Sequence, residues 1–232
     1  MAQTLGRVAA IFRYPVKSMA AERVQSAEVS WHGLPGDRRW GFVRPGLPSN
    51  GFPWLTLRHR NDLNSYRPSW RDPGAPDRSM VVVHTPGGDD LEITSAALAA
   101  ELGAQVMKLD RGTFDSMPLS LVTTRTVQAI GGLAGIETDV LRFRPNLVVE
   151  PADAAPYAED SWVGSTLRIG TAAVRIDRRD KRCVVVNIDP ATGRRTPEVL
   201  RAVARHRDTC LGVYGSVVSA GRVAIGDRVV LG

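Results

Sequence analysis

The sequence predicts a mainly β fold with a few helices, an α+β chain built on a β-barrel or sandwich rather than a doubly wound sheet. Three observations carry this: many short runs of alternating or β-branched residues, turn-rich pieces between them, and only three helix-patterned stretches. Strands are expected at residues 7–12, 24–30, 38–44, 80–84 and 91–93, with polar, proline-rich loops at 46–51 and 67–79. A short helix follows at 94–102, with Thr94 or Ser95 as its cap and Gly103 as its stop. After a strand at 105–109, residues 111–118 separate two halves, 1–111 and 112–232. The second half reads as strand 119–122, helix 124–133, and strands at 147–150, 167–169, 172–176, 184–188, 213–218 and 222–231. Thr196 and Pro197 sign the start of one more helix, whose Val199, Leu200 and Val203 share a face.

The chain has 232 residues, enough for one large or two small domains with a real core. Two cysteines, Cys183 and Cys210, exclude a disulfide scaffold and an iron–sulfur cluster held by four thiolates of this chain. No apolar run reaches the length of a membrane span, and the first residues lack a secretory pattern, so a cytoplasmic protein without membrane contact is expected. The net charge is +6, which fits an anionic partner. The basic residues form no aromatic-interleaved stripe, so nucleic acid is not the expected partner. Only three of the thirty basic residues are lysines: Lys17, Lys108 and Lys181.

Four segments combine polar or basic groups with strand ends. Tyr14-Pro15-Val16-Lys17-Ser18 leaves an ammonium and a hydroxyl at a turn, suited to a phosphate or simply to solvent. In Gly36-Asp37-Arg38-Arg39-Trp40, alternation puts Arg38 on the face of Trp40, either paired to Asp37 or serving an anion. In Arg142-Phe143-Arg144-Pro145-Asn146 the proline is expected to hold Arg144 extended. Finally, Cys183 follows Arg182 and a dense run of charge, and opens an apolar run expected to be a buried strand. Adjacent cations favour thiolate, the form that binds a soft metal or attacks sulfur; a packed strand cysteine is the other reading. Cys210 has no such surroundings and reads as structural. The histidines lack metal-ligand spacing, and no phosphate loop, dinucleotide fingerprint or hydrolase elbow is present.

In this order the motifs YPVKS (14–18), GDRRW (36–40), FRPN (143–146), YAEDSW (157–162), RC (182–183), DPATG (189–193) and GDRV (226–229) resemble the MOSC domain family with its N-terminal β-barrel companion. That family includes the mitochondrial amidoxime-reducing component and the C-terminal part of molybdenum cofactor sulfurase. The resemblance implies a MOSC-type β-barrel with an N-terminal β-barrel domain, and a molybdenum cofactor, molybdopterin with its metal, held between the halves. Cys183 matches the molybdenum-ligating cysteine, and Lys17, Ser18, Arg38, Arg144, Asn146 and Arg182 match cofactor contacts. Ser116 matches one of two adjacent hydroxyl residues, but Met117 replaces the other, and Lys181 stands where some relatives have a smaller residue. Tyr214 falls near a further position beside the cofactor. The implied activity is reduction of small N-hydroxylated compounds. Because the chain has neither cluster cysteines nor a flavin fingerprint, electrons are expected from a separate reductase or ferredoxin-like partner. The alternative is a sulfur-carrier or cofactor-carrier module that uses a Cys183 persulfide or thiolate.

Overall fold

The computed structural model describes residues 3–46 and 52–232, so most of the loop expected at 46–51 lies outside the described residues. Seven strands close a barrel: β1 (Thr4–Arg13), β9 (Leu119–Thr123), β10 (Leu147–Pro151), β11 (Thr166–Ile169), β12 (Ala172–Lys181), β13 (Cys210–Ser219) and β15 (Arg228–Leu231). Their order around the ring is β1-β10-β9-β13-β12-β11-β15, returning to β1. A ring with an odd number of strands cannot alternate direction throughout, and the parallel exception is β9 with β10. A parallel pair requires a crossover connection, supplied here by the helix α2 (Thr124–Ala134) and a turn of 3-10 helix at Val140–Phe143.

Period-two burial fills the barrel: Leu119 and Leu121, Leu147 and Val149, Leu167 and Ile169, and Val174 and Ile176 all point into one core. β1 places both Val8 and Ile11 there, a spacing of three that regular pleating forbids; a bulge between Val8 and Ala10 makes it possible. Ala10 and Phe12 then face outward, beneath Val127 and Ile130 of α2 and Val199 and Val203 of α3 (Glu198–Arg207). A separate apolar cluster gathers the rest of the first half. It draws on β4 (Trp40–Val43), β5 (Arg67–Trp70), β6 (Val81–His84) and α1 (Ala96–Leu102), and Ile188 joins it from beyond Cys183. In this part β5, β6 and β7 (Asp90–Glu92) form one small sheet, and β4 pairs with β8 (Gln105–Lys108). Of the first strands, β2 (Glu22–Val24) extends β1, whereas β3 (Ser26–Val29) pairs with β14 (Gly221–Ala224).

The mainly β class, the three helices and most strands are as expected. α1 is capped by the Ser95 hydroxyl and stopped by left-handed Gly103; α2 runs past its glycine pair to stop at Gly135. Several expectations are corrected. Residues 67–70 are a strand, not loop, and Pro68 is tolerated because β5 is an edge. Residues 222–231 are two strands, broken by a turn at Gly226. β12 continues to Lys181, five residues beyond its apolar part. Residues 184–188 are no strand: Val184–Asn187 is a turn of 3-10 helix with Val184 exposed, because four apolar residues carry no readable period. The start of α3 is capped not by the Thr196 side chain but by Asn187, whose Oδ1 accepts from Leu200 N at 2.8 Å.

Candidate functional site

One cleft of about 840 Å3, counting its mouth, is walled by the segments leaving β1 and β12 and those entering β4, β9 and β10. Lys17, Ser18, Arg38, Arg144, Asn146, Arg182, Cys183 and Tyr214 all line it; of the residues expected in the site, only Ser116 does not. Ser116 lies in the adjoining groove, where its hydroxyl accepts a hydrogen bond from Arg178.

The backbone around the cleft is held in unusual conformations. Ser18, Arg38 and Arg144 have φ of 68°, 52° and 50°, a left-handed region that non-glycine residues seldom adopt. Such strain persists where surrounding structure over-determines it, and it concentrates at functional sites. Two expectations change here. Pro145 does exclude Arg144 from the right-handed helical region, but the residue turns left-handed, capping the 3-10 turn, rather than extended. Arg38 precedes β4, which begins at Trp40, so strand alternation does not set its direction. Its choice between Asp37 and the site is no choice: it pairs with Asp37 at 2.5 Å and also lines the cleft.

The cations are fixed from behind. Arg38 Nη2 donates to the Arg144 carbonyl at 3.0 Å. Both guanidinium groups stand over the ring of Tyr14, with Cζ 4.4 Å and 4.3 Å from its centroid. Tyr14 is fully buried, and its hydroxyl donates to Pro145 O at 3.1 Å. Arg182 donates to the carbonyls of Leu211 and Phe143, each at 2.8 Å, and pairs with Asp180 at 2.8 Å. Its close approach needs Gly212: with φ of 72°, a Cβ there would stand 2.6 Å from Leu121 O and 3.3 Å from Arg182 Nη2. Lys17 is buried and donates to Thr113 O at 2.6 Å and to Asp115 Oδ1 at 2.5 Å. Asn146 serves the scaffold: its amide donates to Phe12 O and accepts from Ser120 N, tying β1, β9 and β10 together.

Seven cations line the cleft (Lys17, Arg38, Arg58, Arg142, Arg144, Lys181 and Arg182) against two carboxylates, Asp115 and Asp180. Burial draws the Lys17 ammonium below the usual lysine range despite Asp115, and burial draws Arg144 down to about 10. Burial pushes the Asp180 carboxyl up, against the pull of Arg182 and the Ser120 hydroxyl. Arg144 Nη2 and Asp180 Oδ1 are buried without a hydrogen-bond partner among the described residues. An unpaired buried guanidinium N–H is costly, and an anion entering the cleft would satisfy it.

Cys183 is a half-buried free thiol in this cleft, and Cys210 is also free. Three contributors escape sequence reading. Arg58 comes from a polar stretch that resembles any solvated turn, yet its guanidinium is pushed up by hydrogen bonding and charge interaction with Cys183. Asp180 sits inside a run of basic residues, and Tyr14 carries no charge to mark it. Among the described residues no cluster of three His, Cys, Asp or Glu side chains could cage a metal, so protein ligation of one here would fall to Cys183 with other donors brought by the ligand.

Residues 108–230 match the family model described as MOSC domain, and residues 5–117 match the MOSC N-terminal beta barrel domain. Molybdenum cofactor sulfurase of Drosophila mojavensis is 27% identical over 235 residues, covering 83% of this chain and 29% of the relative. Human mitochondrial amidoxime-reducing component 1 is 26% identical over 130 residues, covering 50% of this chain and 37% of the relative. This chain thus spans about a third of the length of these relatives. The crystal structure of the YUAD protein from Bacillus subtilis covers 100% of this chain and 98% of its own at 14% identity, with a TM-score of 0.56, which is a likeness of fold. With one family model over more than half its length and the companion model over most of the remainder, the chain belongs to the MOSC domain family.

Proposed function

We propose that this protein binds a molybdenum cofactor in the cleft and reduces N-hydroxylated compounds with electrons from a separate protein. One observation carries the reading: a free cysteine and a set of braced, largely buried cations line one cleft, and Arg144 Nη2 there has no hydrogen-bond partner among the described residues. The donor set fits a phosphate-bearing pterin with a thiophilic metal. Lys17, Ser18, Arg38 and Arg144 would hold the anionic end, Arg182 and Tyr214 would flank the metal end, and Cys183 would supply the thiolate. Ser116 would contribute its hydroxyl from the groove side, and Asn146 would hold β10 and the Arg144 turn in place.

When bound, the cofactor would supply a two-electron couple at a metal. The overall change cleaves the N–O bond, consumes two electrons and two protons, and releases water. The chain's own part is to hold charge and exclude solvent. Arg38 and Arg144 are fixed on Tyr14, so no reorganisation is needed as an anion enters. The two cysteines leave none for a cluster in this chain, so electrons come from a reductase or ferredoxin-like partner.

The test is reduction of a simple amidoxime by protein purified from a host that makes the cofactor, with an artificial electron donor. Turnover that disappears in Cys183→Ala supports the reading; absence of turnover from molybdenum-loaded protein contradicts it. A second reading, a sulfur or cofactor carrier using a Cys183 persulfide, is favoured by the match to molybdenum cofactor sulfurase, which covers 83% of this chain rather than half. A persulfide on Cys183 after incubation with a cysteine desulfurase, in protein without reductase activity, would select it.

A further inference from the structure

Beyond Cys183 the cleft continues into a second groove of about 1120 Å3, counting its mouth, and the two share Arg58, Asp115, Lys181, Arg182, Cys183 and Tyr214. Its charge is not balanced. Arg182 pairs with Asp180, Arg179 with Asp160 and Asp208, and Asp115 is taken by Lys17. Arg58, Arg178 and Lys181 form no ion pair among the described residues; Arg178 meets the Ser116 hydroxyl, and Arg58 and Lys181 line the groove together with Cys183.

This arrangement is built, not a by-product of an exposed strand. Arg178 and Lys181 are three positions apart on β12, so regular pleating would send them to opposite faces. The register of β12 against β13 shifts between Ile176 and Arg178 and again between Arg179 and Lys181, and both side chains line the same groove. Arg58 reaches it from the other half of the chain. Three cations without an ion pair among the described residues thus line the groove that Cys183 opens onto, whereas Lys17, Arg38 and Arg144 line only the first cleft.

We propose that this groove seats the anionic end of the substrate: the compound reduced here is an N-hydroxylated molecule that carries a carboxylate or phosphate remote from its nitrogen. The inference rests on the reductase reading for its reaction, but the groove's preference for an anion is measurable without turnover. The discriminating pair is N-hydroxybenzamidine and its 4-carboxy derivative, with the corresponding amidines as ligands for calorimetry. The carboxylated member of each pair should be favoured about tenfold, in kcat/KM and in affinity. That preference ratio should fall towards one in a variant carrying Arg58→Gln, Arg178→Gln and Lys181→Gln, all exposed positions whose replacement leaves the cores intact. Equal treatment of both compounds by the unaltered protein, or a preference that survives the triple replacement, overturns the proposal. Calorimetric preference for the carboxylate without turnover of either compound keeps the groove assignment and counts against the reductase reading instead.

Discussion

The Arg38 guanidinium donates a 3.0 Å hydrogen bond to the carbonyl oxygen of Arg144, linking a turn of the first half to the turn that feeds β10. Both residues are left-handed, and both stand over the same buried tyrosine ring. Two cations would ordinarily repel at such range. The aromatic face, the Asp37 carboxylate and backbone carbonyls keep them together, and an anion in the cleft would complete the arrangement.

Tyr14 should therefore matter in two separable ways. Tyr14→Phe loses the hydrogen bond to Pro145 O but keeps the ring, and should cost about 1 kcal/mol in urea unfolding. Tyr14→Ala removes a fully buried aromatic and should cost about 3–5 kcal/mol. Phosphate binding, followed by calorimetry, should survive the first change and weaken in the second; equal weakening in both would contradict the ring's role as a platform.

The Lys17–Asp115 pair predicts a pH dependence. Burial raises the Asp115 carboxyl, but the charge and hydrogen bond of Lys17 outweigh it and hold the group below the usual carboxylate range. A group depressed in the folded state contributes stability above its unfolded pKa of about 3.9, and that contribution is lost as pH falls through the folded value. The urea midpoint of the native protein should exceed that of Asp115→Asn at pH 6, and the gap should narrow as pH falls below the unfolded carboxylate value of about 3.9. A gap that is constant with pH would mean that the pair contributes through packing alone.

Gly212 should not tolerate a side chain. A Cβ would press on the Leu121 carbonyl, which is backbone and cannot yield, and on Arg182 Nη2, at a φ of 72°. Gly212→Ala should lower stability by about 1–3 kcal/mol. It should also weaken phosphate binding, because displaced Arg182 loses its bonds to Leu211 and Phe143. Native stability and native affinity in this variant would show that the approach is not required.

What the sequence makes legible here follows the range of the interactions. The Ser95 cap with Gly103, and the alternating pairs such as Leu119 and Leu121, are local patterns, and they appear as expected. The residues expected in the site come from motifs at strand ends and, for Ser116 and Tyr214, from the family resemblance, and all but Ser116 line one cleft. Arg58 is not legible, because its partner is 125 positions away in sequence and nothing beside it marks a contact. The conformation of Arg144 is misread because proline excludes one region without choosing between those left. The strand expected after Cys183 fails because a run as short as Val184-Val185-Val186 is decided by what lies on either side: Val186 packs beneath α3 and Ile188 joins the first half's core.

In the proposed function Cys183 holds a metal while the cations hold its carrier, so the decisive measurement is molybdenum and pterin content, determined separately. Protein purified from a cofactor-producing host should carry about one of each per chain. Cys183→Ser should lose most of the molybdenum, and Arg144→Ala should lose pterin and metal together. Unaltered protein that carries neither, or Cys183→Ser that keeps its molybdenum in full, would contradict the proposed role of Cys183 and the cleft.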